Sequence, residues 1–245
     1  MPDRLNRQSP QPLHLQFEEL LREQLENEEW PVHARIPSEN EWSRKYGISR
    51  MTVRAVLTRL VDAGLLYRIP GKGTFVAEPK IVSCPLSQLG ITQQLEQMGY
   101  ETRTEVVHLG IVSCPARIAR KLKLEPGGDV TVIKRLRFVR GEPFSIHTSY
   151  IPLSVCADLE MQDLEHNQLC DIMEQVYHHP ILRRVETLES ATASIEDAEL
   201  LSVKPSFPLL LLNTTVYSDG DLPVEASAVV FRGDKFKIKL EFNRR

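Results

Sequence analysis

Residues 36–57 read IPSENEWSRKYGISRMTVRAVL, and this stretch predicts two short helices joined by a tight turn. Ser38 and Glu41 have the spacing of a capping box at the start of the first helix, and Gly47 ends that helix. Ser49 is placed to cap the second helix. The buried face of that helix is predicted to consist of apolar residues at helical spacing, Val53, Leu57, Leu60 and Val61. The stretch therefore predicts a helix-turn-helix.

The flanking residues extend this motif on both sides. Leu13–Asn27 is predicted to be an amphipathic helix, because its apolar residues recur with a helical period. After the helix that ends at Gly64, residues 65–69 and 74–76 are predicted to form a hairpin around the turn Pro70–Gly73. Three helices followed by a hairpin make a winged helix-turn-helix.

Positive charge is concentrated in this region. From Arg35 to Lys72 there are eight basic residues and three acidic ones, whereas the whole chain has a formal net charge of −3. Arg50 and Arg54 are expected one helical turn apart, opposite the apolar stripe, with Thr52 beside them. An arginine so placed can bond guanine O6 and N7 in the major groove, and a lysine between two wing glycines can approach phosphates or the minor groove. The alternative is an ordinary solvated helix and hairpin.

The composition favours a protein of the reducing cytoplasm. The hydrophobic fraction of 42% and the charged fraction of 26% exclude a chain too polar to fold. The longest undiluted aliphatic run, Leu209–Leu212, is far short of the ~20 residues that a membrane span needs, and no secretory leader is evident. The four cysteines include no CxxC pair. We therefore expect a cytoplasmic protein with reduced thiols, no metal, no cofactor and no membrane partner.

The order of predicted elements divides the chain into two domains. Residues 1–76 are expected to form the winged helix-turn-helix, 77–86 a linker, and 87–245 a second domain. In the second domain, helices are predicted near 92–98, 116–122 and 168–177, and strands near 104–112, 130–139, 144–151, 182–193, 208–217, 223–231 and 236–242. Paired strands with a few helices indicate an α+β fold with a mostly antiparallel sheet.

Two features of the second domain suggest a site for an anion. Arg135 and Arg137 are two apart on a predicted strand, so they share one face of the sheet and could clamp a carboxylate or phosphate. Residues 90–92 precede a short predicted helix and carry a glycine and a hydroxyl, a pattern that suits an anion. The residues alone leave a solvated sheet face as the alternative.

The stretch 36–57, followed by LVDAGLLYRIPGKGTFV at 60–76, resembles the GntR family of bacterial transcription regulators. The specific parts are SRMTVR at 49–54 and GKGTFV at 71–76. The rest of the chain resembles the ligand-sensing UTRA domain of the HutC subfamily, whose fold is like that of chorismate lyase. The marks of this domain are Arg135–Arg137, the segment from Pro143 to Pro152, Pro223–Glu225 and Phe231–Phe236.

The resemblance implies a homodimer that binds double-stranded, pseudo-palindromic operator DNA and responds to a small effector. The expected action is repression of a catabolic operon, with release from the operator by the effector. The family commonly has arginine at the position of Asn40, and asparagine can still bond adenine or a phosphate. The resemblance implies a DNA-binding set of Ser38, Asn40, Ser49, Arg50, Thr52, Arg54, Gly71 and Lys72.

The resemblance also implies the residues of the effector site. In sugar-phosphate-sensing members, the phosphate is held by positions that match Gly90, Ile91, Thr92 and Arg135. The rest of the pocket is surrounded by positions that match Arg137, His147, Gln168, Cys170, Glu225 and Phe231. This chain departs from those members at four positions: His147 replaces glutamate, Gln168 replaces serine, and Cys170 and Phe231 replace tyrosine.

These departures change the chemistry expected around the ligand. Glutamine adds bulk, phenylalanine and cysteine lack the phenolic hydroxyl, and an unperturbed imidazole at His147 would titrate near neutral pH. We therefore expect a small anionic metabolite, such as a phosphorylated sugar or a sugar–amino acid adduct, but not N-acetylglucosamine 6-phosphate as the preferred ligand. One alternative is a regulator that senses an unphosphorylated, urocanate-like acid. Another is a chorismate lyase-like enzyme, although no acid–base pair is evident.

Overall fold

The computed structural model describes residues 5–27, 29–83, 91–125 and 127–239, and for residues 82, 83 and 92 it describes the backbone alone. The chain divides into two compact units, Met1–Ile81 and Val82–Arg245. Within the described ranges, no helix is long and apolar enough to cross a bilayer.

The first unit is a winged helix-turn-helix, as the sequence predicts. Its elements are α1 (Leu13–Glu26), α2 (Glu39–Tyr46), α3 (Arg50–Asp62), β1 (Leu66–Ile69) and β2 (Gly73–Val76). The Ser38 side chain accepts a bond from the Glu41 amide and the Glu41 carboxylate accepts one from the Ser38 amide, so the predicted capping box is present. Gly47 has a left-handed φ of 64°, which ends α2 and turns the chain into α3.

The core of the first unit fixes which face of α3 points outward. Phe17 packs on Trp42 and Tyr46 with ring centroids 5.7 and 5.3 Å apart. Val53, Val56, Leu57 and Leu60 of α3 are at most 1% exposed. Burying each such side chain contributes about 1.5–3 kcal/mol to folding, so this face of α3 is held inward and its opposite face is left to solvent.

The second unit is built on antiparallel β-sheet with a few helices. Its elements are β3 (Ile81–Ser83), α4 (Ile91–Gln97), β4 (Thr102–Ser113), α5 (Ala116–Leu122), β5 (Asp129–Val139), β6 (Glu142–Pro152), α6 (Leu169–Gln175), β7 (Arg183–Thr192), α7 (Ile195–Leu200), β8 (Pro208–Tyr217), β9 (Pro223–Arg232) and β10 (Phe236–Ile238). One antiparallel sheet has the order β4-β5-β6-β9-β8-β7, and a second, two-stranded sheet pairs β3 with β10. The α+β class with a mostly antiparallel sheet is confirmed.

The structure departs from the sequence prediction in three places. The helix α7 was not predicted, although Ser194 caps it by accepting a bond from the Asp197 amide at 3.0 Å. The predicted linker 77–86 contains the short strand β3, and its residues 84–86 lie outside the described ranges. The last predicted strand, 236–242, is a strand only to Ile238 in the described part of the chain.

Candidate functional site

The outward face of α3 carries the residues predicted to read bases. Arg50 and Arg54 are exposed, whereas Val53 and Val56 of the same helix are buried. The Thr52 amide donates to Ser49 Oγ at 3.0 Å, and the two hydroxyls lie 2.8 Å apart. Ser49 therefore fixes the start of α3, and the arginines project from its first two turns.

Arg54 is held by a carboxylate from the preceding helix. Its Nε lies 3.0 Å from both oxygens of Glu39, and its Nη2 lies 2.7 Å from Glu39 Oε2. The pKa of Glu39 is lowered by this hydrogen bond from Arg54 and by the charges of Arg54, Arg68 and Arg50, against a smaller opposing effect of burial. Glu39 is thus an anion among arginines, a feature that the sequence did not single out.

The hairpin places the predicted wing residues in a tight turn. The Lys72 amide donates to the Ile69 carbonyl at 3.0 Å, and the Lys72 side chain is exposed. Gly71 and Gly73 have φ of 74° and 130°, values that glycine adopts readily. A side chain at Gly73 would also come within 2.9 Å of Arg35 Nε. The two other predicted residues lie at the start of α2, where Ser38 is the cap and Asn40 is exposed.

The second unit contains a cavity of about 150 Å³ at the sheet. Most of the effector residues implied by the resemblance line it: Ile91, Arg135, Arg137, His147, Gln168, Cys170, Glu225 and Phe231. Gly90 lies outside the described residues, and the side chain of Thr92 is likewise not described. The strand register explains why these residues lie together. Arg135 on β5 is opposite His147 on β6. Arg137 on β5 is opposite Ser145 on β6, and Ser145 is in turn opposite Phe231 on β9.

The two arginines of the cavity are buried and not fully bonded. Arg135 and Arg137 are 4% and 5% exposed. Among the described residues, Arg135 Nε and both Nε and Nη1 of Arg137 have no hydrogen-bond partner. Burial, followed by the charge of Arg135, lowers the pKa of Arg137 to about 9. Burial also lowers the pKa of Arg135, while the charge of Glu225 opposes that effect. A solvated sheet face is therefore excluded for this pair.

His147 does not titrate as expected from the sequence. Burial, together with the charges of Arg135 and Arg137, lowers its pKa well below the usual 6.5, so the imidazole is neutral at pH 7 in this state. The expectation of a group that titrates near neutral pH is wrong, because the fold buries His147 and places it beside two arginines. Its Nε2 lies 4.0 Å from Glu225 Oε1.

Glu225 supplies the buried negative charge of the cavity. Its side chain accepts a hydrogen bond from Ser149 Oγ at 2.6 Å, and the residue is 8% exposed. Its charge acts on Arg135. The cavity therefore has one arginine, Arg135, with a buried counter-charge nearby, whereas Arg137 is acted on by the positive charge of Arg135 and, more weakly, by the negative charge of Glu96.

The cavity also includes residues that sequence reasoning missed. Arg184 and Glu186 lie two apart on β7, and Thr214 lies on β8 opposite Glu186. Burial raises the pKa of Glu186, while Arg184 and the hydrogen bond with Thr214 lower it. The two-residue spacing of Arg184 and Glu186 was visible in the sequence, but it does not show which face of an edge strand points into a site.

The thiols near the cavity are not activated. Burial, helped by the nearby charge of Asp171, raises the pKa of Cys170 to about 11, and burial raises that of Cys156 to about 12. Both groups are therefore protonated thiols at pH 7 rather than nucleophiles. In the described part of the chain, no cluster of three or more His, Cys, Asp or Glu side chains could hold a metal.

We expect the thiols of Cys156, which is buried, and Cys170, which is half-buried, to react slowly with an alkylating reagent. Iodoacetamide at pH 7.5 should modify Cys156 and Cys170 more slowly than the cysteines of the same protein unfolded in guanidinium, because the thiolate is the reactive form and burial disfavours it. Peptide mass mapping over time is the measurement. Rapid labelling of Cys170 in the folded protein would contradict this assignment.

Comparisons with known proteins agree with this architecture. Residues 13–76 match the bacterial regulatory proteins of the gntR family, and residues 97–237 match the UTRA domain. The HTH-type transcriptional repressor NagR of Bacillus subtilis is 31% identical over 232 residues, which cover 95% of each chain. The histidine utilization repressor of Pseudomonas putida is 29% identical over 237 residues, which cover 97% of this chain and 94% of the relative. The crystal structure of PhnF from Mycobacterium smegmatis shares the fold, with a TM-score of 0.66 at 24% identity over 93% of this chain and 99% of PhnF.

Proposed function

Because this chain belongs to the GntR family of bacterial regulatory proteins, in its HutC subfamily, we propose that α3 reads operator DNA and that a small anion in the cavity controls binding. The family makes the chain a DNA-binding transcription repressor rather than an enzyme. The proposed DNA surface comprises the exposed face of α3, the start of α2 and the wing. The proposed boundaries are residues 1–76 for DNA binding, 77–86 for the linker and 87–245 for effector binding and dimerisation.

The anion is supported above all by Arg137. Its guanidinium is buried, two of its nitrogen atoms lack partners among the described residues, and its charged form is disfavoured by Arg135. A bound phosphate or carboxylate would satisfy these donors with charge-assisted hydrogen bonds. Its attraction to both arginines would also offset the repulsion between these two buried cations. We therefore propose a phosphorylated sugar or sugar–amino acid adduct, which releases the repressor from its operator.

A thermal-shift screen tests the proposal directly. Inorganic phosphate, phosphosugars and small organic acids would be added to the full-length protein, and a ligand that binds the native state raises the melting temperature by mass action. The hit should also weaken DNA binding in a gel shift. A screen in which no anion shifts the melting temperature would overturn the anion proposal.

An unphosphorylated acid is the second candidate, and one observation favours it. Glu225 acts on Arg135 and Glu96 acts on Arg137, so both arginines already have a negative neighbour, and a singly charged carboxylate adds less negative charge to the cavity than a phosphate ester would. The relative named for histidine utilization agrees with a sensor of that general kind. The same screen separates the two candidates. If the effector is an unphosphorylated acid, a carboxylate should raise the melting temperature more than any phosphate ester does.

The pocket differs from that of sugar-phosphate-sensing family members, and this difference leads to a prediction on ligand specificity. We expect N-acetylglucosamine 6-phosphate to bind at least tenfold more weakly than the tightest ligand of the panel. Cys170 and Phe231 line the cavity and offer no phenolic hydroxyl, and each unpaired polar group of a bound ligand costs ~1–3 kcal/mol. Calorimetric titration is the measurement. Micromolar binding of this ligand, tighter than that of all others, would contradict the prediction.

Dimerisation is proposed to lie in residues 87–245, so that the DNA-binding domains can adjust their spacing on two half-sites about one helical turn apart. Each unit has hydrophobic clusters formed from its own residues, so the two can be studied separately. In sedimentation we expect 87–245 to be a dimer and 1–76 a monomer. The reverse result would overturn the assignment.

A further inference from the structure

The contact between Glu39 and Arg54 joins the start of α2 to α3. The two residues are fifteen apart in sequence, and the contact is side-on: Nε bonds both carboxylate oxygens at 3.0 Å and Nη2 bonds Oε2 at 2.7 Å. The Glu39 side chain is 24% exposed and that of Arg54 is 52% exposed. The carboxylate is therefore the more sheltered partner of the pair, and more than half of the Arg54 side chain is accessible to a partner.

The donors that this contact uses determine what the arginine can still do. A guanidinium has five N–H groups, and the side-on contact uses the Nε–H and one Nη2–H. The edge formed by Nη1 and the second Nη2–H remains, and it presents two parallel donors. Guanine O6 and N7 accept a pair of donors with this geometry. Glu39 thus leaves Arg54 with the edge that suits a guanine.

We propose that Glu39 is a positioning residue that sets base specificity by fixing the orientation of Arg54, an inference that rests on the proposed role of Arg54 in reading a base. An unrestrained arginine on an exposed helix can swing to the nearest phosphate, and such a contact carries no sequence information. The carboxylate holds the guanidinium in place. Its negative charge also opposes the approach of a phosphate, so the pair gains selectivity at the expense of general affinity for DNA.

Arg50 provides a comparison within the same helix. Its charge acts on Glu39, but the hydrogen bonds of Glu39 go to Arg54 among the described residues. Loss of the carboxylate should therefore alter the base preference that depends on Arg54 and leave the preference that depends on Arg50. A general loss of helix structure would alter both.

The experiment uses full-length protein and duplexes with a randomised central segment. Selection with the wild type defines a preferred duplex, and anisotropy titrations then measure each single-base variant and one duplex of unrelated sequence. The proteins are the wild type, Glu39→Gln, Arg54→Ala, the double variant and Glu41→Gln. Glu41→Gln is a matched control, because it removes one carboxylate from the same turn of α2 while glutamine can still complete the capping box.

We expect Glu39→Gln to reduce discrimination at the Arg54-dependent base pair by about fivefold or more, out of the ~5- to 150-fold that a bidentate contact supplies. Its affinity for the unrelated duplex should be unchanged or higher. In the Arg54→Ala background the same substitution should have no further effect on discrimination, and Glu41→Gln should behave as the wild type. Melting temperatures of all variants report on folding.

Three results would overturn the proposal. The first is full discrimination by Glu39→Gln at the Arg54-dependent base pair. The second is an equal loss at every base pair or with Glu41→Gln, which indicates a structural or a purely electrostatic effect. The third is a base preference that Arg54→Ala does not change. In that case Arg54 does not contribute to base recognition, and Glu39 cannot set specificity through it. Selection of no sequence at all by the wild type would instead refute the proposed function, and this inference with it.

Discussion

Replacing Arg50 or Arg54 by alanine is expected to weaken binding to the selected operator by ~1–3 kcal/mol each, a loss of about five- to 150-fold, and to relax the preference for one base pair. Both side chains are exposed and the buried face of α3 is formed by other residues, so their removal leaves the core packing of the helix unchanged. Lys72→Ala should weaken binding to all sequences alike and reduce the salt dependence, as expected for a phosphate contact.

Arg59→Ala is the matched control for this experiment. Arg59 lies on the same helix, but its Nε bonds Glu18 on α1 at 2.6 Å, so it is already paired within the domain. We expect little change in base preference for this variant. Gel shifts on the operator and its single-base variants are the measurement. Unchanged affinity and specificity for both Arg50→Ala and Arg54→Ala would refute the assignment of α3 to the groove.

The helix-turn-helix was predictable because its determinants are local. The Ser38 and Ser49 caps, the positive φ at Gly47 and the apolar spacing of α3 each act within a few residues of sequence. The outward face of α3 followed from the buried one. The ion pair of Arg54 did not, because Glu39 lies on another helix and only the turn between α2 and α3 brings the two together.

The effector cavity was only partly predictable for a related reason. The two-residue spacing of Arg135 and Arg137 is the same whether their face of the sheet is wet or buried. Their burial depends on the neighbours of β5 in the sheet, and so does the low pKa of the facing His147. The resemblance supplied most of the lining residues, while Arg184, Glu186 and Thr214 became visible only with the register of β7 and β8.

The second large effect is expected from replacing a buried arginine of the cavity. The replacement should raise the stability of the ligand-free protein and lower its affinity for anions. Replacing Arg137 by methionine should raise the melting temperature of the ligand-free protein, because the substitution removes a buried charge whose protonated form is disfavoured. The gain is expected at ~1–4 kcal/mol, by analogy with the range for buried ion pairs replaced by well-packed apolar residues of similar volume. The same variant should lose the stabilisation by anions, since truncating a buried charge that bonds a ligand costs about 2–5 kcal/mol, or roughly 30-fold or more in affinity.

Two further variants give this prediction its controls. Lys134→Met removes a positive charge from the same strand, but Lys134 pairs with Glu196 of α7 rather than lining the cavity, so the response to phosphate and phosphosugars should be retained. Arg135→Met should also abolish the anion response, yet without the gain in stability, because it leaves the buried Glu225 without its positive neighbour. Thermal melts with and without each anion are the measurement. A destabilised Arg137→Met protein that keeps the full anion shift would show that Arg137 is a structural residue and that the anion binds elsewhere.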